Sequence, residues 1–281
     1  MSHHYYILTL RTQNQIGIIH QITTCILALK GDILSFNEYV ISETNEFLCR
    51  VRFEVNQKLD TSNRSRLLDE LSTKYGSHIA VTPESQKLRM GILVSGQNHC
   101  LQELLYQHAI NRLPVSIPFV ISNHDIHAPL CQFYKVPFYP ITLSSSDKKE
   151  DQILEISRHN SDFIVLARYM QILSPQFIDA YQNDIINVHH SILPAFKGGN
   201  PYQQAYDYGV KLIGATSHFV TENLDEGPII EQDVVSIHHR NTVTDITEKG
   251  HWIEKKVLSQ TCRLYAENRV LRGKQKVVVF S

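Results

Sequence analysis

The chain has 281 residues, 42% of them hydrophobic and 20% charged, with a formal net charge of −1. That length holds one large or two ordinary domains, each able to bury its own core, and the near-neutral balance gives no overall electrostatic reason to expect nucleic acid or a membrane as partner. No apolar run approaches the roughly 20 residues of a spanning helix, and the start Met1-Ser2-His3-His4-Tyr5 lacks the basic stretch and long apolar core of a secretory leader, so a cytoplasmic protein is expected.

Residues 5–10 read as a short apolar strand, followed by a polar turn over 11–15 and by Gly17. Ile18, Ile19, Ile22, Ile26, Leu27 and Leu29 recur at three- and four-residue spacing, which predicts an amphipathic helix ending at Gly31. Residues 33–41 and 46–55 read as two strands divided by the turn Ser42-Glu43-Thr44-Asn45. A helix over 63–75, with Leu67, Leu68 and Leu71 inward, and a strand over 78–82 complete a βαββαβ unit of α+β type, residues 1–83, and Pro83-Glu84-Ser85-Gln86 reads as the linker.

The second domain, residues 87–281, opens with a strand over 88–94 and a helix over 100–111. Further strands are expected over 114–122, 136–141, 162–167 and 185–189. Helices are expected over 153–158 and over 175–181, the latter with Ser174 as N-cap and Pro175 at its first position. This alternation is the pattern of a doubly wound, mostly parallel α/β sheet with its site at the carboxyl ends of the strands. A helix from Asn200-Pro201 to Gly209, a strand pair over 212–221 and 229–237, a long helix over 253–269 and a closing strand over 276–280 follow.

The stretch Asp184-Ile185-Ile186-Asn187-Val188-His189-His190-Ser191-Ile192-Leu193-Pro194 draws the chemistry together. On a strand the side-chain period is two, so Asn187 and His189 leave the strand end on one face. Pro194 and the turn Lys197-Gly198-Gly199 stop the strand and set both at a strand-to-loop junction. An amide can donate to a developing oxyanion, an imidazole moves protons near neutral pH, and a carboxylate, for which Asp225 is the candidate, can orient the imidazole. The five cysteines are widely spaced without a Cys-x-x-Cys pair and read as reduced, mostly buried thiols. The pairs His3-His4, His189-His190 and His238-His239 are adjacent residues that face opposite ways on strands, so no metal is expected.

The runs Asn187-Val188-His189-His190-Ser191-Ile192-Leu193-Pro194-Ala195-Phe196-Lys197-Gly198, Gly214-Ala215-Thr216-Ser217-His218-Phe219-Val220 and Asp225-Glu226-Gly227-Pro228-Ile229-Ile230, with Leu166-Ala167-Arg168-Tyr169-Met170-Gln171-Ile172-Leu173 upstream, resemble the folate-dependent formyltransferase/hydrolase family over residues 87–281. The resemblance implies catalysis by Asn187, His189 and Asp225 on 10-formyltetrahydrofolate. It implies a pterin cleft formed by Arg168, Met170, Gln171, Ile172, Leu173, Val220, Thr221 and Leu224, with His218 in support. It implies no cofactor, folate being the substrate. Transferases of the family that act on glycinamide ribonucleotide carry a Gly-x-Gly-Ser-Asn phosphate loop, where this chain reads Val94-Ser95-Gly96-Gln97-Asn98-His99-Cys100-Leu101 and keeps one of the glycines. Together with the N-terminal unit and the ending Lys276-Val277-Val278-Val279-Phe280, this points to the hydrolase branch, in which water replaces the amine. The expected outcome is formate and tetrahydrofolate, with formate supplied for purine synthesis and folate pools balanced. A glycinamide ribonucleotide transferase and a non-catalytic amino-acid sensor are the alternatives.

Residues 1–83 resemble an ACT domain, a small effector-binding module that pairs edge to edge, through Asn14-Gln15-Ile16-Gly17-Ile18, Gly31-Asp32-Ile33 and Phe47-Leu48-Cys49-Arg50. Such domains often carry Asp where Asn14 stands and Asn where Asp32 stands. The resemblance implies self-association, and either a small amino acid such as methionine or glycine held by Asn14, Gly17, Ile18, Asp32 and Ile33, or a dimerisation unit without ligand.

Overall fold

A computed structural model describes residues 3–76, 78–142, 149–194 and 201–281. The chain divides into two compact units, Met1–Gln86 with Glu267–Ser281, and Lys87–Ala266. The turn Lys197-Gly198-Gly199 lies outside the described residues.

The first unit runs β1 (His4–Gln13), α1 (Ile18–Ala28), β2 (Asp32–Ile41), β3 (Glu46–Val55), α2 (Thr61–Tyr75) and β4 (Ile79–Pro83), the βαββαβ order expected from the sequence. Its strands lie in the order β2-β3-β1-β4, every pair antiparallel. Alternation along β1 sends Tyr6, Leu8 and Leu10 inward, where they meet Ile18, Ile22 and Ile26 of α1 and Leu67 and Leu71 of α2. Asp60 caps α2 by accepting from the Asn63 amide at 2.7 Å.

The second unit runs β5 (Leu88–Val94), α3 (His99–Ala109), β6 (Val115–Ser116), β7 (Val120–Ser122), α4 (Ala128–Phe133), β8 (Phe138–Pro140), α5 (Glu150–Arg158), β9 (Phe163–Leu166), α6 (Pro175–Tyr181), β10 (Asp184–His189), α7 (Pro201–Asp207), β11 (Leu212–Phe219), β12 (Ile229–Ser236) and α8 (Val243–Ala266). The sheet order is β12-β11-β10-β9-β5-β7-β8, with β6 paired to β5. From β8 to β10 the strands are parallel, while β11 and β12 extend the sheet antiparallel. The chain winds from β5 outward to β7 and β8 on one side, then to β9 and β10 on the other. The topological switch point, where open α/β sheets place ligands, therefore falls between β5 and β9.

Three sequence expectations are corrected here. The strand over 114–122 is two strands, because Pro118 has no N–H to give the ladder. The long helix starts at Val243 instead of 253, since Thr242 and Asp245 exchange hydrogen bonds as a capping box (Thr242 N to Asp245 Oδ2 2.8 Å, Asp245 N to Thr242 Oγ1 3.2 Å). The last residues, 267–281, belong to the first unit. They form a hairpin of β13 (Val270–Arg272) and β14 (Val277–Val279), and its Leu271 and Phe280 are buried with Ile41 and Leu48. Buried Glu46 fastens it by accepting from the Lys274 amide at 3.0 Å.

Candidate active site

Strand register explains why the expected site residues converge. β10 and β11 pair Asn187 with His218 and His189 with Thr216, so the two-residue period sets all four on one face. Parallel pairing of β9 with β10 matches Leu166 to Asn187, which brings Arg168 off the end of β9 level with His189. The same edge receives the loop after β5. There Ser95 ties the two loops together, its amide donating to the Arg168 carbonyl at 3.2 Å and its Oγ accepting from the Met170 amide at 3.0 Å. Arg168 holds φ +62, the left-handed conformation that lets the chain turn at once out of β9.

Asp225 arrives on the loop between β11 and β12, itself at φ +55. The loop folds back so closely over the end of β11 that a Cβ on Gly227 would fall inside the carbonyl oxygen of Phe219. This brings one Asp225 oxygen to 3.3 Å from His189 Nδ1 and the other to 3.6 Å from His218 Nε2. His218 Nδ1 donates to the Phe219 carbonyl at 2.9 Å, since a carbonyl can only accept. The Asn187 amide nitrogen lies 3.3 Å from His218 Nε2. Burial opposes ionisation of Asp225, but hydrogen bonds and charge from His189 and then His218 outweigh it and hold the carboxyl well below the usual range. Among the described residues, His189 Nε2 is buried with no hydrogen-bond partner.

These groups border a cleft of about 870 Å³. Arg168, Met170, Gln171, Ile172, Leu173, His218, Val220, Thr221 and Leu224 all line it, with Asn187, His189 and Asp225. Met170, Ile172 and Leu224 are about 60% exposed, an apolar lining of the kind that accepts a flat ring. The five residues expected to hold an effector are not drawn together within one copy of the chain. Asn14, Gly17 and Ile18 lie at the start of α1 and Asp32 and Ile33 beyond its end, with Ile18 buried in the core. An eleven-residue helix separates the two groups by about 16 Å.

Several neighbours of the site escaped the sequence reading. Thr216 donates to the Ser191 carbonyl at 2.8 Å and accepts from the Leu193 amide at 3.0 Å, which pins the loop after β10. His190 also lines the cleft, and burial, then the charge of Arg168, lower its pKa from 6.5 to about 4. Glu254 of α8 is fully buried. Its Oε2 accepts from His99 Nε2 at 2.8 Å and lies 3.4 Å from Arg168 Nε, and its Oε1 accepts from the Tyr202 hydroxyl. Burial works against its ionisation, but His99, then Arg168, lower its pKa. Gly250 makes this possible, since a Cβ there would collide with the Tyr202 ring. The signal available in sequence was a lone carboxylate within the apolar stripe Ile246, Gly250, Ile253, Val257.

Among the described residues, His99, His251 and Glu254 are the group whose ligand atoms come within 4.8 Å of one another. The donors do not suit a cation, because Glu254 Oε2 is already occupied by His99 Nε2 and the Arg168 guanidinium stands beside it. The five cysteines are all buried and unpaired.

Fold and site together define an α/β enzyme domain of the formyl-transferring type, and the family model described as formyl transferase matches residues 88–262. The chain is 42% identical over 278 residues to formyltetrahydrofolate deformylase 1, mitochondrial, of Arabidopsis thaliana, covering 95% of this chain and 86% of that protein. It is 38% identical to the formyltetrahydrofolate deformylase of Bacillus subtilis, with 95% and 91% covered. A crystal structure of a formyltetrahydrofolate deformylase from Pseudomonas syringae superposes with a TM-score of 0.94 at 33% identity, over 100% of this chain and 95% of that one. Glycinamide ribonucleotide transformylase 1 from Symbiobacterium toebii matches with a TM-score of 0.64 at 30% identity, over 69% of this chain and 95% of its own. The chain belongs to the formyltetrahydrofolate deformylase family.

Proposed function

We propose that the cleft beside β9 and β10 is where this chain hydrolyses 10-formyltetrahydrofolate to formate and tetrahydrofolate, with Asn187, His189 and Asp225 as its catalytic groups. The observation that carries the reading is His189 Nε2 at the cleft wall, buried and without a partner among the described residues, with its other nitrogen held by a carboxylate. A buried polar atom without a partner is costly and is satisfied when a substrate supplies one. Water attacks the formyl carbon as His189 Nε2 takes its proton, and the oxyanion that forms accepts hydrogen bonds from the Asn187 amide and from the Nε2–H of the resulting imidazolium. Asp225 keeps its charge and steadies that imidazolium at Nδ1. His189 gives a proton to N10 as the carbon–nitrogen bond breaks, leaving formate and tetrahydrofolate. The pterin ring lies against Met170, Ile172, Leu173 and Leu224, and backbone groups at 168–173 and 220–224 meet its polar edge. Asp225 stays ionised because two imidazoles face it.

The relatives that span both units are deformylases, and the transformylase neighbour covers about two thirds of the chain, which favours water over an amine as acceptor. The test is direct. Formate and tetrahydrofolate should appear in equal amounts in buffer alone, at a rate that added glycinamide ribonucleotide does not raise. Accumulation of formyl-glycinamide ribonucleotide would refute the reading. Formate released in this way would supply purine synthesis, in the cytoplasm.

The first unit acts as an ACT-like regulatory and oligomerisation domain. β2 is an edge strand with Leu34 and Tyr39 exposed, and α1 exposes Ile19 and Leu27, features that suit association with a second copy. Because Asn14, Gly17, Ile18 and Asp32, Ile33 lie at opposite ends of α1, a small amino-acid effector touching both sets would bridge two copies.

A further inference from the structure

The mechanism above makes no use of Glu254. Its carboxylate is fully buried at the middle of α8, and three other segments of the same unit converge on it. His99 opens α3, Arg168 follows β9, and Tyr202 stands in α7, while His251 stacks on His99 with ring centroids 4.0 Å apart. A buried carboxylate adds little net stability even when paired, and an apolar side chain of similar volume would close the same gap. The charge itself therefore calls for a purpose.

Arg168 supplies one. It is the only lysine or arginine among the described residues that line the cleft. The register of β9 with β10 sets it level with His189, at the reacting end. A guanidinium there with no counter-ion is the strongest phosphate-attracting group the wall could offer, since its planar fork matches phosphate oxygens. Glu254 lies 3.4 Å from Arg168 Nε, while the Tyr202 hydroxyl and His99 Nε2 meet the same carboxylate. We infer that Glu254 is a specificity-determining residue: its buried carboxylate cancels the guanidinium of Arg168 and so denies the cleft a free cation for any acceptor that carries a phosphate. Water, which has no charge to be matched, is unaffected. The inference rests on the cleft being the active site.

The probe is inorganic phosphate, exchanged for chloride at constant ionic strength. Wild-type formate release and melting temperature should not respond to millimolar phosphate. Glu254→Gln keeps the side chain's shape and releases Arg168. Phosphate should inhibit this variant at a concentration at least tenfold lower than any effect on wild type, and should raise its melting temperature. The double variant Arg168→Gln/Glu254→Gln should lose the melting-temperature response. A folded Glu254→Gln protein whose phosphate response equals that of wild type overturns the inference. So does a wild-type enzyme inhibited by low-millimolar phosphate, which needs no variant to measure. If Glu254→Gln folds in neither buffer while the double variant folds, phosphate does not reach Arg168 and the inference also fails. Failure of the active-site reading would instead appear as normal turnover in the Asn187 and His189 variants, and the melting-temperature response does not depend on it.

Discussion

Asp225→Asn keeps the side chain's size and removes the charge that two imidazoles share. In the structure one oxygen of that carboxylate lies 3.3 Å from His189 Nδ1 and the other 3.6 Å from His218 Nε2. Opposite charges at 3.3 Å attract by roughly 5 kcal/mol at an effective dielectric of about 20, from which the desolvation of a largely buried carboxylate must be subtracted. A net of about 3 to 4 kcal/mol on the imidazolium corresponds to roughly 10² to 10³ in turnover. An amide can also turn its NH₂ toward Nδ1 and trap His189 in the wrong tautomer, which costs about 10⁴ for the corresponding change in a Ser-His-Asp triad. The loss should fall on kcat, measured as formate release under saturating substrate, with KM little changed because the carboxylate acts on the reacting centre. His189→Ala added to Asp225→Asn should cost little more than His189→Ala alone, since the two act as one unit. The variant should also be less stable at neutral pH. The folded carboxyl is depressed, so its contribution is present above the unfolded value of about 3.9 and disappears as pH falls through the folded one. Turnover within about tenfold of wild type in a folded Asp225→Asn protein would refute the reasoning, because that is less than an oriented acid/base pair supplies.

Asn187→Ala should lower kcat by roughly 10² to 10³ with the fold intact, the usual cost of one oxyanion donor, and a twofold effect would remove that role. His190 titrates at about 4 against an ordinary 6.5. Its folded pKa lies below the unfolded one, so the unfolded chain takes up the proton first and stability falls between pH 6.5 and about 4, by roughly 3 kcal/mol. Urea denaturation near pH 7.5 and pH 5 should therefore separate less in His190→Gln than in wild type, and equal separations would contradict this. Gly227→Ala should cost about 1 to 3 kcal/mol and displace Asp225, because the new methyl meets the Phe219 carbonyl. A melting temperature and kcat both unchanged would mean the loop has room to move. Sedimentation of the full chain should give a dimer or larger assembly that Ile19→Glu/Leu27→Glu weakens, and a sedimentation profile unaltered by these charges would exclude that face of α1.

The elements that sequence could locate are those whose signal is local. The βαββαβ order, the strand over Leu88–Val94 and the helix at Pro175–Tyr181 follow from periodicity and from caps such as Ser174, which accepts from the Phe177 amide at 3.1 Å. The capping box at Thr242 was equally local, yet the run Thr244 to Lys249, with Ile246 as its one apolar residue, hid the first turns of α8 behind a weak apolar face. What stayed hidden depends on partners far along the chain. Nothing in Val270 or Val278 tells that their hairpin is buried against Ile41 and Leu48, more than 200 positions away. Motif resemblance grouped Asn187, His189 and Asp225, strand period added that the first two share a face, and all three line one cleft. The sharing of Asp225 between His189 and His218 was not legible, because it requires the register of β10 on β11 and the path of the returning loop. Glu254 is the clearest case. Its sequence signal is one charge in an apolar stripe, and its meaning appears only when His99, Arg168 and Tyr202 are seen around it.

That dependence on register also accounts for the antiparallel end of an otherwise parallel sheet. The connection from β10 to β11 carries α7, and β11 then runs back along β10, so Asn187 faces His218 directly and the loop after β11 lays Asp225 over both. The loop can close this tightly because the pairing of β11 with β12 slips at the site. Ser217 opposes Glu231 while His218 opposes Ile229, leaving one extra residue on β12. An irregularity of this kind bends its strand and turns side chains locally. Here it falls beside His218 and lets Gly227 cross the end of β11 against the Phe219 carbonyl. A one-residue slip of β10 on β11 would send Asn187 and His189 to the opposite face from His218 and break every contact with Asp225. The polar pins on Thr216, to Ser191, Leu193 and Gln232, hold that register where the strand pair ends, and so belong to the chemistry as much as to the fold.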